Sequence, residues 1–383
     1  MSFSFAPHTM TPSAAAQAWT TLDHRPLDLT WLRGLAALIV VASHLFHIQS
    51  SVTPVPSVLD RAGYGAVELF FVLSGTMIAI SHGNCKTHME FYVRRFARIF
   101  PLMWVVVLVS YFLIAPVLSD HGASSDKSAL GLLIHLVGLQ SALPLGMPGF
   151  GVCEPVWTLS IEILFYVFFP LFLRVHRFSP AIFMGAALTI EIVWRSVAYS
   201  WGSDSPLAQT YIPLQLPGQL FSFSVGMFVA TKIRRYAFDP PMAPVRAPSH
   251  RTRIGALALF FLALLFYKPL WESKASIVLL PPICGWLIYV SAQRIRVKGV
   301  LDRIGEASYS VYLWHYPILL LLRVVWKDME MWTFFIVGLA LTMVVAEVSH
   351  RFIEVPLNGW TKRILLKLAA RLLGFKTPLS GAV

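Results

Sequence analysis

Along the 383-residue chain, apolar residues run in long continuous blocks rather than alternating with polar ones, and short polar or basic stretches separate the blocks. Continuous runs of about 20 residues match helices crossing a hydrocarbon core of about 30 Å, whereas a membrane barrel would show alternation. The runs predict spans near 29–49, 64–81, 92–115, 156–173, 180–200, 212–231, 254–270, 276–292, 308–326 and 332–352. The block 130–143 is apolar but short, and 144–155 carries no Lys or Arg, so 130–143 reads as re-entrant or interfacial. The expected fold class is therefore all-α, a polytopic integral membrane protein with about ten transmembrane helices.

Basic residues orient this arrangement. With the N-terminus inside, 23 Lys and Arg fall in cytoplasmic segments and 5 on the opposite side, while Arg33, Arg195 and Arg323 lie within or near the ends of spans. Short cytoplasmic loops carry the positive excess, so both termini are expected in the cytoplasm. Counting 130–143 as a full span would flip every later loop and largely remove the bias. The chain then divides into a cytoplasmic tail, 1–28, a transmembrane domain, 29–357, and a basic cytoplasmic tail, 358–383. Residues 1–28 are polar, with Pro7, Pro12 and Pro26, and read as no cleavable signal. The Pro- and Arg-rich connection 232–253 and the basic tail read as membrane-surface segments.

Composition narrows the function classes. Apolar residues make up 56% and charged ones 13% of the chain, against about 45–50% and about 25% in soluble domains. A soluble globular protein is excluded. The 27 Phe, 12 Tyr and 12 Trp exclude disorder, and three cysteines, Cys85, Cys153 and Cys284, cannot build a disulfide framework. The net charge of +12 would suggest nucleic acid in a soluble protein. Here it is a topological signal; the expected partner is the lipid bilayer, with no nucleic acid.

Ionisable groups inside spans cost about 2.5–3.5 kcal/mol each on insertion scales, so each needs a partner or a purpose. Arg33 and His44 are eleven residues apart in the first span, which places them on one helix face and roughly 16 Å apart along the axis. A snorkelling Arg33 and a satisfied bundle histidine form the plain alternative, and His47 is an equal candidate for an active imidazole. Glu68 lies in the second span, followed by Ser74 and Gly75, which allow close helix packing. It marks either an interface or a site. Arg94, Arg95 and Arg98 open the third span and repel the positive end of their own helix dipole. An anion relieves that conflict, and Arg forks at a helix N-terminus form a phosphate-binding arrangement; the alternative is ordinary positive-inside charge facing lipid headgroups.

In the fourth span, Glu162 stands within the apolar run, with Tyr166 one turn on. Both Glu162 and His44 are expected in the outer half of the bilayer, where a pair would raise the imidazole's basicity. Tyr309, Tyr312 and His315 follow at i, i+3 and i+6 in the ninth span, lining a cavity or bonding to neighbouring helices. Glu347, Arg351 and Glu354 at the end of the last span read as a structural ion pair closing the cytoplasmic edge. No GxxxxGK[ST], HExxH, CxxC or GxSxG spacing occurs, which argues against metal or serine-triad chemistry. The residues alone leave a membrane bundle with an imidazole, carboxylates and a phosphate-like site.

At these positions the chain resembles the acyltransferase-3 family of integral-membrane acyltransferases. The matching pieces are LRGLAALIVVASH with Arg33 and His44, GAVELFFVLSG around Glu68, RRFARIFP, VWTLSIEILFYVFFP with Glu162 and Tyr166, SYSVYLWHYP with His315, and RFIEVP. All six fall in register from residue 32 to 356. The resemblance implies a bacterial inner-membrane enzyme moving an acyl group, by default acetyl, from cytosolic acyl-coenzyme A to a hydroxyl of a carbohydrate or lipid-linked glycan outside. It implies acyl-coenzyme A as donor substrate and no tightly bound cofactor or metal. By the same resemblance, His44 is the acyl-accepting or general-base residue, with Arg33 as its motif partner. Arg94, Arg95 and Arg98 hold the coenzyme A phosphates, Glu162 orients or activates the imidazole or the acceptor hydroxyl, and His315 matches the pattern. Thr30 departs from it, standing where relatives often have an acid, and the chain lacks the eleventh span and hydrolase-like domain of larger relatives. That predicts an enzyme acting alone or handing its acyl group to a separate protein. A second class, an exporter or flippase of an anionic or lipid-linked saccharide, fits the buried charges but not the register of the motifs.

Overall fold

The computed structural model describes residues 28–50, 57–83, 85, 87–120, 128–142, 153–201, 212–238, 248–272, 274–292 and 299–373. Helix α1 covers Thr30–Ser50, α2 Ser57–His82 and α3 His88–Val109, which a wide turn at Ser110–Ile114 prolongs to Ala115–Asp120. Then come α4 (Ala129–Val137), α5 (Trp157–Phe178), α6 (Pro180–Trp201), α7 (Leu220–Phe238), α8 (His250–Leu265), α9 (Tyr267–Glu272) and α10 (Ser276–Ser291). Finally α11 (Val300–Glu306) and α12 (Ser308–Val325) precede α13 (Met331–Ser349), which passes through a second wide turn, His350–Glu354, into α14 (Val355–Leu373). No strand occurs among the described residues. The chain is an all-helical integral membrane protein.

Among the described residues, six helical columns are long and apolar enough to cross a bilayer: Thr30–Gln49, Arg61–His82, His88–Asp120, Glu154–Phe178, Pro180–Ala198 and Met331–Leu372. The other four expected spans are shorter or more polar as helices. The run 212–231 becomes helical only at Leu220, because Pro213 and Pro217 first impose two 3-10 turns. The run 254–270 breaks at Phe266, leaving 16 residues in α8, and α10 also has 16, about 24 Å each. Helix α12 carries Ser308, Tyr309, Ser310, Tyr312 and His315 in its first half. Helix α4 has nine residues and stops at Gly138, whose φ of 69° suits glycine. At about 14 Å it reaches less than half of a bilayer core.

Backbone approaches at two glycine sites set the core. A Cβ on Gly305 would meet the Thr30 carbonyl oxygen at 1.9 Å, and one on Gly34 would meet the Leu301 carbonyl oxygen at 2.1 Å. Helices α1 and α11 therefore touch backbone to backbone. Gly75 and Gly226 do the same for α2 and α7, at 2.3 Å from the Phe223 carbonyl oxygen and 2.2 Å from that of Val72. These contacts, available only to small residues, seat α11 on α1 and α7 on α2, beside a core that includes Leu32, Leu69, Phe165 and Phe223.

Candidate active site

A cavity opens among α1, α2, α3, α5 and α12, and its polar lining is Arg33, Ser74, Arg95, Arg98, Thr158, Glu162, Tyr166, Ser308, Tyr309 and Tyr312. Arg33 contributes a guanidinium that makes no hydrogen bond or ion pair among the described residues. Arg98, Glu162, Tyr166 and Arg95 supply the charges and polar groups around it. Arg95 donates from Nη2 to Ser81 Oγ at 2.7 Å and lies 5.7 Å from the ring centroids of both Phe91 and Tyr166. Its buried Nε has no hydrogen-bond partner among the described residues.

Arg98 is paired with Glu354 and lies 5.4 Å from the Tyr309 ring centroid. Glu354 is buried and also accepts from Ser310 Oγ at 2.7 Å and His350 Nδ1 at 3.0 Å. The wide turn His350–Glu354 thus anchors a carboxylate against the Arg cluster, as such turns often do at functional sites. Glu354 is more than the edge closure expected of it. Only Glu347 keeps that role, accepting from Arg351 at 2.5 Å and Arg303 at 2.9 Å. Arg94 is turned away from the cavity and pairs with Glu90 one turn back. Of the three basic residues expected together, Arg95 and Arg98 line the cavity and Arg94 does not.

Glu162 Oε1 accepts from Ser74 Oγ at 2.8 Å and from the Tyr166 hydroxyl at 2.5 Å. Ser74 belongs to the half of α2 that ends at His82, the end where Arg95 meets Ser81. Glu162 therefore stands on the Arg33 side of the bundle, not in the half expected to hold His44. The expectation of a Glu162–His44 pair placed the carboxylate by counting from the start of an apolar run.

His44 belongs to a second centre. Its Nδ1 lies 3.0 Å from the Val40 carbonyl oxygen and 3.3 Å from His315 Nε2, while His315 Nδ1 lies 3.2 Å from the Val311 carbonyl oxygen. These contacts are satisfied together when each Nδ1 carries its hydrogen, which assigns the lone pair of His44 to Nε2. The Tyr316 ring stands edge-on to His44 with centroids 5.2 Å apart. His47, one turn on, is exposed. Tyr312 joins the two centres: it lines the Arg33 cavity and its ring centroid is 5.7 Å from that of His315.

Glu68 lies in neither centre. It is buried and accepts from Ser222 of α7, so it is no interface marker. Beside it, Glu191 and Arg195 form an ion pair at 2.9 Å with side chains only 1% and 3% exposed. Arg195 also donates to the Gly218 carbonyl at 2.5 Å, and Glu191 accepts from the Phe221 amide at 3.1 Å. The pair fastens α6 to the start of α7. Its i,i+4 spacing in the sequence, like that of Glu90 and Arg94, was a legible signal of pairing.

A family model described as an acyltransferase domain matches residues 27–349. The peptidoglycan O-acetyltransferase OatA of Listeria monocytogenes is 27% identical over 367 residues, which cover 85% of this chain and 56% of that protein. The acyltransferase MdmB of Streptomyces mycarofaciens is 28% identical over 311 residues, covering 76% and 78%. The O-acetyltransferase OatA of Staphylococcus aureus is 23% identical over 373 residues, covering 88% and 58%. The chain thus spans little more than half the length of the OatA proteins. No solved structure matches it.

Proposed function

Since the chain belongs to the acyltransferase-3 family and is an acyltransferase, we propose that it moves an acetyl or related acyl group from cytosolic acyl-coenzyme A to a carbohydrate hydroxyl outside the membrane. The peptidoglycan named for its Listeria monocytogenes relative makes a cell-wall glycan the first acceptor class to try. The proposed setting is the bacterial inner membrane, with ten spans and both termini cytoplasmic, supported by the split of 23 against 5 basic residues.

The observation that carries this reading is Arg33. A guanidinium facing a cavity without a hydrogen-bond or ion-pair partner among the described residues, beside Arg95 and Arg98, leaves positive charge that an anionic ligand would neutralise. Arg95 and Arg98 would hold coenzyme A phosphates at the basic end, and the pantetheine arm would run past Tyr309 and Tyr312 toward His44. There the acceptor oxygen attacks the thioester carbonyl carbon while His44 Nε2 takes its proton. The carbon–sulfur bond breaks, and the imidazolium returns the proton to the coenzyme A sulfur. In a covalent variant Nε2 attacks first and expels the coenzyme A thiolate, and the acceptor oxygen then displaces the imidazole from the acyl carbon, its proton ending on the thiolate. Neither route uses a metal or other cofactor.

The test is thiol release from acetyl-coenzyme A by the purified protein in liposomes, wild type beside His44→Ala, with a panel of glycans outside. Release requiring both His44 and one glycan is expected. Equal release by His44→Ala would overturn the assignment.

A further inference from the structure

The last helical column outruns the membrane it enters. Met331–Leu372 is one column of 42 residues, about 63 Å long, against a hydrocarbon core of about 30 Å. Counted from Met331, the core is crossed after about 20 residues, at the wide turn His350–Glu354, and Pro356 follows that turn. Helix α14 therefore begins where the column leaves the hydrocarbon, at the Arg98 end of the bundle. It packs against α3, yet one side is bare: Trp360, Ile364, Leu368 and Leu372 are 60%, 43%, 48% and 74% exposed. Spaced by four, they form one stripe along the helix. Arg363, Lys367 and Arg371, also exposed and spaced by four, form a second stripe about 100° round from the first. Arg363 donates from Nε to the Gly359 carbonyl at 3.2 Å, and none of the three makes an ion pair among the described residues. No Asp or Glu occurs between Val355 and Val383.

We propose that α14 is a binding surface for anionic phospholipid: Trp360, Ile364, Leu368 and Leu372 enter the acyl boundary of the leaflet at the Arg98 end of the bundle, and Arg363, Lys367 and Arg371 hold its phosphate headgroups. The two stripes choose this occupant. An apolar row edged by basic residues is the pattern of a helix lying in a membrane interface, where Trp favours the headgroup level. There the Lys and Arg stems lie on apolar surface while their charged ends reach phosphate. A second copy of the chain would bring like stripes together, and this stretch offers no acid to neutralise them. A zwitterionic lipid would cover the apolar row and leave the three cations unmatched, whereas attraction to an anionic surface grows with each Lys or Arg brought to it. None of these residues lines the Arg33 cavity or touches His44, so the surface is distinct from both centres and does not depend on the reaction assigned to them.

The test places the full chain, one copy per nanodisc, in phosphatidylcholine or in an equal mixture of phosphatidylcholine and phosphatidylglycerol, and follows backbone hydrogen exchange over 360–372 relative to α13. Exchange there should be about tenfold slower or more in the mixture, a difference that high salt reduces. Arg363→Gln, Lys367→Gln and Arg371→Gln combined should remove most of that difference while α13 exchanges as in wild type. Ile364→Ser and Leu368→Ser combined should exchange faster than wild type in the mixture. Equal exchange of the wild type in the two membranes, a triple variant that keeps the full difference, or a serine variant that exchanges as slowly as wild type would each overturn the proposal. Slowing that needs two copies in one disc and no phosphatidylglycerol would assign the surface to a second copy of the chain and overturn it as well.

Discussion

His315 Nε2 lies 3.3 Å from His44 Nδ1, and each ring turns its own Nδ1 to the carbonyl oxygen four residues back in its helix. The two imidazoles therefore fix one another's tautomer across α1 and α12. That arrangement gives His315, fully buried, a place that a motif match alone did not define: it holds the imidazole of His44, the proposed base.

Replacing His315 by Ala should lower acyl transfer by about 10- to 100-fold, within the range of a general acid–base contribution. Coenzyme A binding should stay within about twofold of wild type, since His315 does not line the Arg33 cavity. Steady-state kinetics paired with a binding titration checks both halves. A loss that appears only in binding would remove His315 from the chemistry.

Arg94 and Arg95 are adjacent in sequence and differ in surroundings. Arg94 is paired with Glu90 outside the cavity, whereas Arg95 lines it and keeps an unpartnered Nε. Arg95→Ala should raise KM for acetyl-coenzyme A about tenfold or more, the value of one charge-assisted phosphate contact. Arg94→Ala should change it less than about threefold. Donor titrations of the two variants decide the matter, and equal effects would argue for screening by a general basic surface.

Much of this was legible in the sequence, and the rest failed for identifiable reasons. Arg33, His44 and Glu162 stood out because an ionisable group in an apolar run is costly, and helix periodicity put Arg33 and His44 on one face. Depth was the weak point. Glu162 was assigned to the wrong half because counting along one apolar run does not fix depth against neighbouring helices; its partner Ser74 stands toward the His82 end of α2. The α7 boundary moved because Pro213 and Pro217 hold the chain in 3-10 turns until Leu220. Arg94 could not be told from Arg95 by spacing, since only the direction of each side chain separates them. Glu354 lay inside the quoted RFIEVP, yet its partner Arg98 is far away in the chain, and no local pattern points to such a contact.

The Arg98–Glu354 pair sets stability against donor binding. Glu354→Gln keeps the shape of the side chain and removes its charge, leaving Arg98 without its counter-ion. Breaking a fully buried pair costs about 3–5 kcal/mol; Arg98 keeps 28% of its side chain exposed, so a loss of about 2 kcal/mol is expected after allowing for solvent screening. The same change raises the net positive charge beside the cavity and should tighten coenzyme A binding. Thermal unfolding in detergent and a binding titration should therefore move in opposite directions. A variant that loses both would mean that Glu354 shapes the cavity rather than balancing its charge.

The Glu191–Arg195 pair offers the opposite case, a buried ion pair remote from both centres. Its side chains are almost completely enclosed, and each also closes a backbone group at the start of α7: Arg195 the Gly218 carbonyl and Glu191 the Phe221 amide. Glu191→Ala leaves a guanidinium in the bundle interior and an amide without its acceptor, so it should destabilise the protein by about 3–5 kcal/mol. Replacing both residues by Leu and Met removes the charge problem, and the double variant should recover a large part of that loss. The transfer rate of the folded fraction should stay near wild type in both, because neither residue reaches the Arg33 cavity or His44. A folded Glu191→Ala variant with full stability and a lost transfer rate would instead make this cluster part of the reaction path.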